Sequence, residues 1–335
     1  LLCLLEGTDG GSKTTTAQAI KTAWDDGGSQ NAAHIIHTGP PDPPGRCIYQ
    51  EYEKQLDDKS KWILSQDHLI ILDRWHLGDR IYGPRYRGFA RYTEGGEFHT
   101  EMTLSSLGAV KVICSPPLEV VQERVKNRGD DYIDISDLPR IHEAYLNHGQ
   151  RYGYYFYNGI VDLDDTIAHL LRDARYKAAC ARELADASAG TYTGSLHPQC
   201  IIAGDELGGT PEAQLRRGGF TRPFTPNSPA TSGEWLMSAL FKAGYLTSTA
   251  LVNASDPGTD VAVIAKLRPE AGWVALGARA SAVLSRNGIS HRKVCHPAWH
   301  RRFRHAEHDF YSAELSQAIA TAAARAALAP ENHII

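Results

Sequence analysis

Residues 1–20 read LLCLLEGTDGGSKTTTAQAI. Aliphatic side chains run into a turn holding Gly7, Gly10 and Gly11, and Lys13, Thr14 and a helix-forming stretch follow. That order fits a buried strand, a tight turn and a helix whose N-terminus faces the turn. The chemistry explains the spelling. Glycines let backbone N–H groups converge on phosphate oxygens, a lysine reaches the transferred phosphoryl group, and a threonine hydroxyl serves Mg²⁺. Gly7, Asp9, Gly10, Gly11, Ser12, Lys13, Thr14 and Thr15 are therefore the candidate ATP-binding residues. Ser12 departs from the pattern, which wants glycine before the lysine. If that position needs φ > 0, a serine there costs about 1 kcal/mol. The bland alternative is a glycine-rich turn with an incidental Lys-Thr, and the strand before and helix after argue against it.

The rest of the first half alternates short apolar runs with helical stretches. Strands are expected at Leu1–Leu5, Ala33–His37, Leu69–Leu72, Val110–Cys114 and Ile160–Leu163. Helices are expected at Lys13–Trp24, Ile48–Ser65, Leu118–Lys126, Leu138–Tyr154 and Thr166–Ala187. Continuous apolar strands separated by helices predict an α/β fold, a parallel sheet with helices on its faces. The chain has 335 residues, so two domains are expected. The text DASAGTYTGSLHPQ is small and polar, which puts a linker at 186–199 between domains 1–185 and 200–335. In the second half strands are expected at Ile201–Ala203, Ala250–Val252, Trp273–Leu276 and Lys293–Cys295. Helices follow at Glu234–Phe241, Val261–Leu267, Arg279–Arg286 and Ser312–Ala327, a second α/β domain.

Composition sets limits. A hydrophobic content of 42% excludes wholesale disorder. No apolar run approaches the roughly 20 residues that cross a bilayer, so no membrane partner is expected. The opening LLCLL lacks the length and basic flank of a signal peptide. Six scattered cysteines without a CxxC pair predict reduced thiols, no structural zinc and a cytoplasmic setting. The net charge of −4 says nothing of nucleic acid, but Arg292, Lys293, Arg301, Arg302 and Arg304 form a local basic cluster.

Three segments in order resemble the thymidylate kinase and deoxynucleoside kinase branch of P-loop kinases: EGTDGGSKTT, LDRWHLGDRIYGP and SPPLEVVQERVKNRGDDYID. The resemblance covers residues 1 to about 175. It implies a P-loop parallel sheet, ATP and Mg²⁺ as cofactors, and a pyrimidine deoxynucleotide acceptor. It puts Asp9 near the acceptor sugar and Asp73 at the magnesium and acceptor-hydroxyl position together with Thr14. Arg74 then clamps a phosphate, while Arg124 and Arg128 are lid arginines. Lys13, Asp73, Arg74, Arg124 and Arg128 are the candidate catalytic residues. Trp75 is a base-stacking or core residue, and His37, Thr38, Gly39 and Arg46 follow the second strand, where parallel sheets hold ligands. Such kinases are often dimers, so the resemblance also implies a homodimer.

Four fragments of the second half resemble the uracil-DNA glycosylase superfamily: IIAGDELGG, RPFTPNSPATSGEWL, LVNAS and CHPAWHRRF. By that resemblance Asp205 or Glu206 positions water, Phe224 stacks on a base, Asn253 reads a base edge and His296 faces a base carbonyl. Trp299, Arg301, Arg302 and Arg304 would contact DNA as wedge and phosphate clamps. Ala298 stands where that family has a serine, and GDELG is not its usual acidic loop. A structural role for Asn253 and His296 as satisfied buried polar groups stays open.

Four readings follow. The first is Mg-ATP-dependent phosphoryl transfer to a pyrimidine deoxynucleotide, with DNA as a partner of the second domain. An alternative is a kinase of a hydroxymethylated pyrimidine in DNA, in a viral base-modification pathway, acting within the host cytoplasm. A rival is a repair glycosylase with a nucleotide-sensing first domain, and the plainest reading is a nucleic-acid-binding module with both centres decayed.

Overall fold

The computed structural model describes residues 1–27, 31–38, 48–65, 67–129, 133–159, 163–205, 224, 232–303 and 307–328. The chain forms two compact units, Leu1–Tyr92 with Leu107–Ala179, and Thr93–Ser106 with Cys180–Ile335. The division differs from the expected 186–199 boundary in two ways. A stretch of the first half belongs to the second unit, and the later crossing falls inside a helix.

The first unit is built on five parallel strands: β1 (Leu2–Glu6), β2 (Ala33–His37), β3 (Leu69–Asp73), β4 (Val110–Cys114) and β5 (Tyr155–Tyr157), in the order β2-β3-β1-β4-β5. Every residue of β1, β3 and β4 is buried, as strands covered on both faces must be. Helix α1 (Lys13–Asp26) packs Ala17, Ile20 and Trp24 into the cluster around Leu5, Ile71 and Val112. The order reverses at β1, whose neighbours β3 and β4 lie on opposite sides. A crevice at the carboxyl end of such a strand is where open parallel sheets hold ligands, and Gly7–Ser12 continues from that end. Helices α2 (Ile48–Ser65) and α3 (His76–Tyr86) flank β3 in sequence.

The strand expected at Ile160–Leu163 is a correction. The fifth strand is Tyr155–Tyr157, paired with Val112–Cys114, and Leu163 already opens a helix; residues 160–162 lie outside the described residues. Gly153, in a left-handed conformation, ends the preceding helix two residues before the strand. The aromatic side chains that follow suit a pleated ladder.

Helix α4 (Glu94–Ser106) has no counterpart among the expected elements. Nearly all its side chains are buried, polar ones included, so it carries no apolar stripe of period 3.6 to read. It belongs to the second unit, where Phe98 stacks on Phe241 with ring centroids 4.3 Å apart. Helices α5 (Leu118–Arg128), α6 (Leu138–Tyr152) and α7 (Leu163–Ala187) complete the first half of the chain.

The second sheet has the order β10-β9-β7-β8-β6. Strands β7 (Cys200–Gly204), β8 (Thr249–Asn253), β9 (Gly272–Leu276) and β10 (Arg292–Val294) are parallel, and β6 (Thr193–Gly194) runs antiparallel to β8. The segment expected as a linker thus supplies an edge strand, with Ser188, Tyr192 and Thr193 buried. Helices α8 (Ser232–Lys242), α9 (Val261–Leu267), α10 (Ala278–Arg286), α11 (Pro297–Phe303) and α12 (His308–Leu328) surround it.

Among the described residues no helix is long and apolar enough to cross a membrane. The five described cysteines carry free thiols, and burial pushes Cys3, Cys114 and Cys200 up to about 12.

Candidate functional site

The phosphate loop hugs the sheet. At Gly7 φ is +140°, and a Cβ there would be driven into the Cys114 carbonyl. At Gly11 a Cβ would lie 2.8 Å from both the Cys114 and Thr8 carbonyl oxygens. Only hydrogen fits at either place, so the loop's glycines are dictated by the backbone beside them. Ser12 sits left-handed at φ 67°, ψ 17° and caps α1, the strained conformation anticipated for that position. The buried Lys13 ammonium donates to the carbonyls of Gly7 at 2.8 Å and Thr8 at 2.6 Å. Burial lowers its pKa, helped by the Arg74 cation and opposed chiefly by Asp9.

Two strand ends bring the remaining chemistry to that loop. Thr14 Oγ1 donates to Asp73 Oδ2 at 2.8 Å, joining the start of α1 to the end of β3. The second carboxylate oxygen of Asp73 is buried without a hydrogen-bond partner among the described residues. A hydroxyl and an orphaned carboxylate oxygen beside a phosphate cradle are the hard oxygen donors that Mg²⁺ would accept. Those residues fit the metal. From β2, His37 Nδ1 lies 3.0 Å from Asp73 Oδ2.

Arg74 has φ 71°, a second strained non-glycine residue at the site. Its backbone N–H donates to Leu5 O at 2.9 Å, and Thr38 Oγ1 donates to its carbonyl at 2.7 Å. Its guanidinium is paired with Asp9, while its Nε is buried without a partner among the described residues. Tyr82 Oη accepts from the Asp9 backbone N–H at 3.2 Å, and burial together with the Asp9 charge pushes that phenol above its ordinary range. The turn is fixed from below by Glu6, whose Oε1 accepts from the N–H groups of Trp75 at 2.9 Å and Leu77 at 3.1 Å. Burial raises the Glu6 carboxyl, against the pull of His76 and Lys13. Sequence reasoning assigned nothing to Glu6, although an acid closing an apolar strand was a visible signal.

Arg124 on α5 reaches the loop, donating through Nη1 to Ser12 Oγ at 2.7 Å and Gly10 O at 3.1 Å. Arg128 is exposed at the end of the same helix. Trp75 is buried and stacks on Tyr52 with centroids 4.1 Å apart, so it is a core residue. Gly39 and Arg46 lie outside the described residues. An open groove of about 730 Å³ begins at Thr14 and Thr15 and runs between α1 and α7 past Gln18, Ala19, Asp164 and Ile167.

The second unit gathers its own set at the carboxyl edge of its sheet. Gly204 ends β7, and a Cβ there would lie 2.7 Å from the Phe224 ring and 3.0 Å from Asn253 Oδ1. Phe224 (φ 54°) lies 5.7 Å, ring to ring, from His296. The Asn253 side chain donates from Nδ2 to Asp256 at 2.9 Å, which fixes its amide orientation. His296 Nδ1 accepts from the Ala298 N–H at 3.1 Å, leaving Nε2 as the protonated nitrogen of the neutral ring. Burial lowers the His296 pKa, against the pull of Asp205.

Asp205 accepts from Ser255 Oγ at 3.2 Å, and Arg279 approaches it to 3.8 Å. Asp256, Ser255 and Arg279 were not read from sequence; Asp256, three residues past Asn253, was the nearest signal. Trp299 is 42% exposed on α11, Arg302 is exposed and Arg301 is half-buried. Glu206 and Arg304 lie outside the described residues. Among the described residues no cluster of three His, Cys, Asp or Glu side chains has metal-binding geometry.

No protein-family model matches the chain, and no curated protein matches it. Among solved structures, it is similar to the YorR protein of Bacillus subtilis in complex with phosphorylated GDP, at 21% identity and a TM-score of 0.42. That similarity covers 53% of this chain and 97% of that one. A deoxyadenosine kinase from M. mycoides with bound dCTP is similar at 16% identity and a TM-score of 0.32, over 52% of this chain and 100% of that one.

Proposed function

We propose that the first unit is a Mg-ATP-dependent phosphotransferase whose acceptor is a pyrimidine deoxynucleotide. The observation that carries this reading is the meeting of Lys13, the Thr14–Asp73 pair, Arg74 and Arg124 around one glycine-built loop. Phosphoryl transfer asks for positioned charge more than covalent chemistry. The loop amides and Lys13 hold the donor phosphates, and the nucleoside half of ATP takes the groove along α1. Thr14 and Asp73 would hold Mg²⁺, which when bound would neutralise charge on the phosphate oxygens. Arg124 faces the transferred group, and the Arg74–Asp9 pair faces the acceptor. Incubation with γ-labelled ATP and dTMP should yield labelled dTDP, lost in Lys13→Ala; no transfer to any pyrimidine deoxynucleotide sinks this reading.

A second reading of the acceptor is favoured by Phe224, Asn253 and His296 lying together beside Gly204. One π-face, an oriented amide and an imidazole donor are what an extruded base needs. With Trp299, Arg301 and Arg302 as duplex contacts, the second unit would present a hydroxymethylated pyrimidine in DNA, and a 5-hydroxymethyluracil oligonucleotide would take the label instead. Glycosylase action predicts uracil release lost in Asp205→Asn and indifferent to Lys13→Ala. A homodimer in a cytoplasmic setting belongs to the same proposal, and light scattering checks the former.

A further inference from the structure

Ser12 is the residue of the phosphate loop that has no obvious reason to be there. Its left-handed backbone is one that glycine adopts freely and an L side chain does not. What the side chain contributes is a hydroxyl within 2.7 Å of Arg124 Nη1. The same nitrogen donates to the Gly10 carbonyl at 3.1 Å. Both acceptors belong to the loop and the donor belongs to α5, more than a hundred residues away in the chain. Helix and loop also touch directly, because a Cβ on Gly10 would sit 3.3 Å from Val121 O and Val125 Cγ2. Among the described residues, a glycine at position 12 would leave only the Gly10 carbonyl to hold an arginine that stands on an exposed helix face.

We propose that Ser12 is a positioning residue: its hydroxyl docks Arg124 on the phosphate loop, so that the guanidinium is already in place for the transferred phosphoryl group. The two N–H groups of Nη1 are spent on Ser12 and Gly10, and the Nε–H and Nη2 groups are then directed to phosphate oxygens, in the planar fork that guanidinium offers. An arginine held this way adds its charge without having to be ordered during the reaction, which is where preorganised electrostatics act. Strain accepted at a functional position and repaid by a specific contact is a recurring arrangement.

The inference rests on the kinase reading of the first unit, and the experiment separates the two. Calorimetry is run with Mg-ADP, and with Mg-ADP plus aluminium fluoride as a mimic of the phosphoryl group in flight. The proteins are full-length wild type, Ser12→Ala, Ser12→Gly, Arg124→Ala and the Ser12→Ala/Arg124→Ala double variant. Ser12→Ala and Ser12→Gly should each weaken the aluminium fluoride complex about tenfold more than they weaken Mg-ADP. The double variant should be no weaker than Arg124→Ala alone, because the hydroxyl acts only through that guanidinium. Ser12→Gly should unfold at a higher temperature than wild type even as it loses the mimic, which separates positioning from stability. Equal binding of the mimic by wild type and both Ser12 variants overturns the proposal and leaves the kinase reading standing. Wild type that binds neither complex overturns the kinase reading, and this proposal with it.

Discussion

At the residue scale the site depends on atoms with no room to move. Gly7→Ala drives a methyl into the Cys114 carbonyl at a φ that side chains avoid. It should cost about 2 kcal/mol of stability or more, read by urea denaturation, and abolish Mg-ATP binding in calorimetry. Asp73→Asn keeps the shape but removes the charge beside Thr14, and should lower the turnover of labelled product about 100-fold. In the second unit, burial depresses the His296 pKa. Between that lowered value and about 6.5 the unfolded chain holds more proton than the folded one, so stability falls as pH falls through that window. Denaturation of wild type and His296→Gln across that window should give a shallower pH slope for the variant; identical slopes would count against a buried neutral imidazole. Most of these residues were legible because glycine, Lys-Thr and strand-end Asp-Arg have chemistry tied to local spelling. Glu6 and Asp256 were missed because their roles consist of contacts, and a lone carboxylate in a sequence announces none.

At the element scale α4 is the instructive case. Its first turn is closed by a side chain from α8: the Glu234 carboxylate accepts from Gly95 N–H at 3.0 Å and from Thr93 Oγ1 at 3.3 Å. A carboxylate at a helix N-terminus satisfies orphan N–H groups and meets the positive end of the macrodipole. Glu234→Ala should therefore destabilise the protein by about 1 kcal/mol in chemical denaturation. A Cβ at Gly95 would meet that carboxylate, which would then have to move. None of this shows in EGGEFHTEMTLSS, where two glycines and four Thr or Ser residues argue against a helix. Tertiary burial of Phe98, Met102 and Leu104 overrides that propensity. The fifth strand was misplaced for a related reason. A three-residue edge strand is defined by its ladder with β4, and the short apolar run after Gly159 resembled a strand equally well.

At the scale of the whole molecule, the assignment of Thr93–Ser106 to the second unit has a practical consequence. A fragment cut at residue 185, where composition places the domain end, keeps α4 but deletes Phe241 and Glu234, which pack and cap it. That fragment should bind a hydrophobic dye and aggregate, while the full chain stays monodisperse in light scattering under the same conditions. A soluble, cooperatively unfolding 1–185 fragment would show that α4 needs none of those partners. The sequence by itself determined what neighbouring residues can settle: alternating buried strands and helices, and a glycine turn before Lys-Thr, since backbone sterics and side-chain period act within a few residues. Only the tertiary structure decided what depends on distant partners. Arg124 reaching Ser12, Glu234 closing α4, Tyr155–Tyr157 completing the first sheet and Arg279 approaching Asp205 all join residues far apart in the chain. Such contacts are chosen by how the elements pack, and packing energy is summed over the assembled core rather than written at any one position.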